Sequence, residues 1–167
     1  MKHFETKRKE GFKQRLRRFL LNRAPAIRGT GAFVTFLSKD WYEIHIKLPL
    51  SWRTINIVGT IFGGSIYSSV DPFYMYQLMK VLGDGYVVWD KAATINFKKP
   101  IKKTVYARFL ITDELISTIK NVIDNKGTID VDIPISYKDK EGIEYALINK
   151  KIYIASKKHY KQKQTSK

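Results

Sequence analysis

The order of elements along the chain predicts an α+β fold, an antiparallel sheet served by one long helix, and not an alternating βαβ chain. Three observations carry that expectation. Strand-like stretches cluster as two before residue 50 and four after residue 85. A long apolar segment, 64–82, separates them. With 44% apolar residues in 167, the chain can bury one core and is too hydrophobic to stay disordered.

Taken in order, Phe12, Leu16, Phe19 and Leu20 recur at helical spacing among Lys13, Arg15, Arg17 and Arg18, a basic amphipathic helix that Pro25 should end. Such a stripe is expected to pack on the domain; the sharper alternative is contact with a membrane surface or an anionic cofactor. After Gly29-Thr30-Gly31, residues 32–37 and 41–48 read as neighbouring strands. Residues 86–98, 103–112, 128–138 and 143–155 supply four more, with a turn at Lys140-Glu141-Gly142. A short helix capped by Asp113 should fill 113–124. The lysine-rich end after Ser156 should fray. The chain thus divides into a basic N-terminal helix (1–28), a domain (29–155) and a basic tail (156–167).

Net charge of +16 suggests nucleic acid until it is located. Residues 1–28 carry +8 and residues 150–167 carry +7, while 29–149 carry only +1. A nearly neutral domain with two cationic ends suits solubility or weak attraction to anionic membrane surfaces better than a shaped DNA-reading face, so no specific nucleic-acid partner is expected. The absence of cysteine excludes disulfides, zinc–thiolate sites and cysteine nucleophiles. The apolar run Phe19-Leu20-Leu21 is too short for a signal peptide, and no run approaches the ~20 residues that span a bilayer. The expectation is a soluble cytoplasmic protein. His3, His45 and His159 show no metal-ligand spacing, so no metal and no cofactor is expected. Ser65, Ser68 and Ser69 have no histidine in their segment to build a serine triad.

The remaining chemistry lies in 56–71. Asn56-x-x-Gly59-x-x-Phe62-Gly63-Gly64, with Asp71 eight residues after Gly63, resembles the phenylacetyl-CoA thioesterase-like branch of the hotdog-fold superfamily. Ile95-Asn96-Phe97-Lys98-Lys99-Pro100 is similar to the strand of that family that ends in an aromatic and a proline. The longer run 59–64 together with Val88-Trp89-Asp90-Lys91 is most similar to an uncharacterised bacterial branch.

The resemblance implies a hotdog fold, an antiparallel sheet wrapped around one long central helix. It further implies a homodimer, able to pair into a tetramer, that hydrolyses acyl-CoA or another acyl thioester. By that likeness Asp71 is general base or nucleophile, Asn56 orients substrate or water, and the Gly63 N–H meets the oxyanion. Phe62, Gly64, Asp90 and Thr94 would line the substrate. Asp71 of one subunit would act on the Asn56 and Gly63 of the other. Backbone N–H groups at bare glycines suit a developing oxyanion, and a carboxylate suits proton abstraction from water.

Three departures qualify the likeness. Phe62 stands where many relatives have His. Asp90 stands where relatives often place Ser or Thr, so it either shares a site with Asp71, which would raise one pKa, or pairs with Lys91 or another base. Pro72 either kinks a helix spanning 64–82 or makes Asp71 the N-cap of a shorter one. A non-catalytic acyl-CoA- or lipid-binding protein on the same fold is the rival reading.

Overall fold

The computed structural model describes residues 4–165. Helix α1 (Phe12–Leu21) ends where Asn22 clamps β1: its amide donates to the Val34 carbonyl at 2.9 Å and accepts from the Val34 N–H at 2.7 Å. Pro25 does not end α1. It opens a second short helix, α2 (Pro25–Thr30), at the position where its missing N–H costs nothing. Strands β1 (Phe33–Leu37) and β2 (Glu43–Leu48) then pair antiparallel.

The apolar segment that follows is not one helix. It divides into α3 (Gly63–Ser68) and α4 (Phe73–Leu82) across a break at 69–72 that contains Pro72. Strands β3 (Tyr86–Phe97) and β4 (Val105–Leu110) come next. Helix α5 (Asp113–Lys126) is longer than expected, and Thr112 caps it, accepting from the Leu115 N–H at 3.2 Å; Asp113 is its first residue. Strands β5 (Thr128–Lys138) and β6 (Glu144–Ser156) form a hairpin whose turn Asp139 closes, accepting from the N–H groups of Glu141 and Ile143 at 3.0 Å each. The end expected to fray is helix α6 (Lys157–Thr165).

Among the described residues, six strands form one antiparallel sheet in the order β1-β2-β4-β5-β6-β3. The sheet wraps α4, whose Phe73, Tyr74, Gln77, Leu78 and Leu82 are buried. The Phe73 and Tyr74 rings meet Phe109 of β4 at 5.1 and 5.0 Å, and the Tyr74 hydroxyl donates to the Pro134 carbonyl of β5. Helix α4 thus reaches both halves of the sheet. That matters because β4 and β5 share only one register pair, Tyr106 with Lys138. Helix α5 crosses between these two strands in sequence and adds Ile116, Ile119 and Ile123 to the core.

Helix α1 reverses the expected orientation. Its buried residue is Gln14, which donates to the Lys39 carbonyl, whereas Phe12, Leu16, Phe19 and Leu20 all face outward.

The segment before α1 is held by a buried acid. Glu43 of β2 accepts from Thr6 Oγ1 at 2.5 Å and from Arg108 Nε at 2.7 Å, and lies 2.6 Å from His45 Nε2. Burial alone would raise its pKa, but these three partners outweigh burial and hold it below the usual glutamate value. Its contribution to stability is therefore complete above the pKa of an unfolded glutamate and lost as pH falls through the lower folded value. Glu43→Gln should cost about 2 kcal/mol or more near neutral pH, because it removes the buried negative charge that Thr6, His45 and Arg108 surround, and should flatten the acid limb of stability. Urea unfolding of both proteins across an acid pH series measures this.

Candidate functional site

Strand β6 turns alternate side chains to the core: Ala146, Ile148, Lys150, Ile152 and Ile154 are all buried. Lys150 is the odd member, a fully buried ammonium at a position the alternation reserves for an aliphatic residue. Its strand neighbours are Ala93 of β3 and Ile133 of β5, neither of which can partner a charge.

Two carboxylates compensate it. Asp71 Oδ1 accepts from Lys150 Nζ at 2.8 Å, and Asp90 Oδ1 lies 2.9 Å from the same nitrogen. The second contact is an ion pair whose angle is poor, which leaves Asp90 Oδ1 buried without a well-directed donor. Asp71 comes from the break between α3 and α4, and Asp90 from β3 just before a bulge at Lys91. The Tyr67 ring of α3 lies beside the ammonium, 5.3 Å from centroid to Nζ.

The break gives Asp71 its position. Ser69 ends α3, and its hydroxyl reaches Ile66 O at 3.1 Å and the buried Tyr137 hydroxyl at 2.6 Å. The N-cap residue of α4 is Pro72, with no side-chain cap bond. Asp71 therefore neither rides within a continuous helix nor caps the next one; its carboxyl turns to Lys150. Asp90 likewise pairs with Lys150, while Lys91 reaches Asp130 at 2.5 Å.

The charges set each other. Burial would lower the Lys150 pKa, but the two aspartates outweigh it and raise it above the usual lysine value. Asp90 is pushed up, first by burial and further by Asp71, with Lys150 opposing.

A second group forms on the loop side of α3. Asn56 spends its amide on its own loop: Oδ1 accepts from the N–H groups of Val58 and Thr60, and Nδ2 donates to Thr60 Oγ1 at 2.9 Å. One Nδ2 proton is left over. Gly59, at φ 77°, makes the turn. A groove of about 570 Å³ follows, lined by Asn56, Ile61, Gly63, Ile66 and Phe97, with Lys98, Lys99 and Lys102 at its rim.

Both glycines make room for rings. A Cβ on Gly63 would meet Phe97 Cζ at 3.2 Å, and one on Gly64 would meet the exposed Phe62 ring at 2.2 Å. As the first residues of α3, Gly63 and Gly64 have N–H groups with no carbonyl inside the helix to bond.

The residues singled out by the sequence thus fall into two clusters within one chain. Asn56 and Gly63 line the groove beside Phe62 and Gly64; Asp71 and Asp90 meet at Lys150 and do not line it. Thr94 joins neither. It is exposed and points to the opposite face of β3 from Ala93, the strand neighbour of Lys150. The lysine itself was missed, although its signal was present as the one charge in the inward register of Ala146-x-Ile148-x-Lys150-x-Ile152-x-Ile154.

His45 pairs with Glu43 far along the sheet, and His3 lies outside the described residues. Among the described residues no group of three His, Asp or Glu is placed to hold a metal, and no helix is long and apolar enough to cross a membrane.

Comparison with known proteins fits this architecture. The family described as Domain of unknown function (DUF4442) matches residues 12–154. No protein of curated function matches the chain in sequence. Among solved structures, a protein of unknown function from Pseudomonas aeruginosa, described as a probable thioesterase, superposes with TM-score 0.73 at 16% identity, covering 85% of this chain and 95% of its own. A thioesterase from Haemophilus influenzae gives TM-score 0.61 at 14% identity, covering 90% and 96%. The E. coli PaaI protein of the phenylacetic acid degradation operon gives 0.57 at 15%, covering 80% and 86%. The fold is that of the hotdog thioesterases.

Lys150→Met should cost at least about 2 kcal/mol near neutral pH by stranding two like charges, and Asp90→Asn in the same chain should recover part of it. In the unaltered protein, the raised lysine pKa places its stabilisation fully below the pKa of an unfolded lysine, to be lost as pH climbs through the higher folded value. Thermal melts of the three proteins across an alkaline series read both effects.

Proposed function

The chain belongs to the DUF4442 family, a domain of unknown function, and from that premise we propose that it is an acyl-thioester hydrolase working as a homodimer, with acyl-CoA as the substrate class. The observation that carries the reading is Asp71: a carboxylate set in the break of the central helix, 45% exposed, and anchored by an ammonium that is 0% exposed. A structural ion pair would gain little from holding one partner so rigidly while leaving the other open. A base that must meet water gains from both.

In this mechanism Asp71 takes a proton from water as the water oxygen attacks the acyl carbonyl carbon. The Gly63 N–H, with that of Gly64, donates to the oxyanion. When the tetrahedral intermediate collapses, the C–S bond breaks and the thiolate leaves, taking the proton back from Asp71 to give a free acid and a thiol. Lys150 is a positioning residue, and Asp90 balances its charge. Phe62, Ile61 and Phe97 offer apolar contact to the acyl or pantetheine chain. Two lysines of the rim, Lys99 and Lys102, suit phosphate, while Lys98 is paired with Glu144.

The separation of the two clusters supports a site shared between copies. Strand β3 is an edge with β6 as its neighbour, twelve residues long, and it exposes Trp89 and Phe97 at 55% each. Edges of that length and character are usually covered. In the proposed dimer, paired through β3, Asp71 of one protomer would act at the Gly63 groove of the other.

One observation favours the rival, a non-catalytic acyl-CoA or lipid binder. Phe62 supplies no polar contact beside the glycines, and the Asn56 amide is largely consumed by its own loop.

A panel of acyl-CoAs with thiol release as readout separates the two. Turnover abolished by Asp71→Asn, about 100-fold or more, supports hydrolysis; binding without turnover supports the carrier. Coexpressing Asp71→Asn with Gly63→Ser tests the shared site. Each mixed dimer should hold one intact site of two, so a randomly paired mixture, half of it mixed dimers, should regain about a quarter of the activity, whereas a site within one chain regains none.

A further inference from the structure

The outward stripe of α1 is unexplained by the fold and independent of the hydrolase reading. Helix α1 packs on β1 through the side that carries Gln14, Arg18 and Leu21, which are buried or half-buried. At 100° per residue, Phe12, Leu16, Phe19 and Leu20 fall together on the opposite side. They are exposed by 83, 53, 49 and 56%. A surface helix normally turns such a stripe inward. Here a glutamine occupies the core-facing position, and four large apolar side chains face away from their own domain.

The flanks identify the partner chemistry. Lys13 and Arg17 border the stripe on one side and Arg15 on the other, and Arg23 lies over the Phe19 ring at 3.4 Å. No acidic residue occurs between Gly11 and Lys39. The nearest acid in sequence, Glu10, is bound to Arg18 at 2.7 Å and lies 3.9 Å from Arg15. Beyond the helix end the same chemistry continues: Asn22, Arg28, Trp52 and Arg53 line one hollow, and the Trp52 indole is 82% exposed.

We propose that α1 is a peripheral membrane contact, lying flat on an anionic lipid surface with Phe12, Leu16, Phe19 and Leu20 entering the acyl boundary and Lys13, Arg15, Arg17 and Arg23 meeting lipid phosphates. Apolar area and cationic flanks on one exposed face are what anionic bilayers bind, and tryptophan favours the headgroup level. A second copy of this helix is the poorer occupant, because its flanks would bring like charges together. A helix of ten residues, about 15 Å long, supplies modest area, so binding should be reversible and sensitive to salt.

The test uses the full chain, sedimented with vesicles of phosphatidylcholine alone and of an equimolar phosphatidylcholine–phosphatidylglycerol mixture. Binding to the mixed vesicles only, weakened by added salt, is expected. Replacing Phe12, Leu16 and Phe19 by serine should reduce it at least about tenfold, and Arg15→Glu with Arg17→Glu should do the same. All five positions are exposed, so unchanged melting temperatures should show both variants folded. Absent binding, equal binding to neutral vesicles, or binding unchanged in the serine variant would each overturn the proposal. So would a serine variant that loses a subunit by sedimentation velocity while vesicle binding persists, since a second copy would then cover the helix.

Discussion

An ammonium on an aliphatic sheet face survives only if charge is brought to it, and much of this molecule is arranged around meeting that demand at Lys150. Desolvation of a lone charge costs several kcal/mol, which β6 cannot recover from its aliphatic neighbours. The break between α3 and α4 delivers one carboxylate, and the inward register of β3 delivers the other. A continuous helix through 69–72 would have carried Asp71 past on a regular spiral. The proline that looked like a defect therefore frees the turn, and the turn feeds the charge cluster.

The fold was legible because its signals are local. Alternation along β1 to β6, the turn at 139–143 and the apolar segment around α4 depend on residues near one another in sequence, and they resemble a known family closely enough to suggest the wrapping. What the sequence hid was relational. Nothing in 64–82 says whether Pro72 kinks or breaks, because the answer depends on Tyr137, which holds Ser69 from 68 positions away. The orientation of α1 failed for a similar reason: the helical period marks an apolar stripe but not which way it points, and Asn22, fastened to Val34, fixes the rotation. Thr112 displaced Asp113 as a cap by one position, a difference that geometry decides.

The candidate site was half legible. Asn56, Gly63 and Asp71 stand out by motif spacing, yet the groove and the carboxylates occupy separate parts of one chain. The glycines were expected to be bare for a ligand; in the chain they are bare for Phe97 and Phe62. Those purposes are compatible, since a ring that closes over a glycine also walls the space beside its N–H. Lys150 escaped notice because a lysine in a lysine-rich C-terminal stretch looks solvated, and only its phase relative to Ile148 and Ile152 separates it from Lys151.

The raised lysine pKa bears on chemical compatibility. Thioesters acylate free amines readily, trading the C–S bond for an amide that water cleaves far more slowly. A neutral amine next to a bound thioester would be a suicide residue. Two aspartates on one nitrogen keep its lone pair occupied by a proton, so the same contacts that stabilise the sheet would also leave Lys150 chemically silent toward an electrophile at its side.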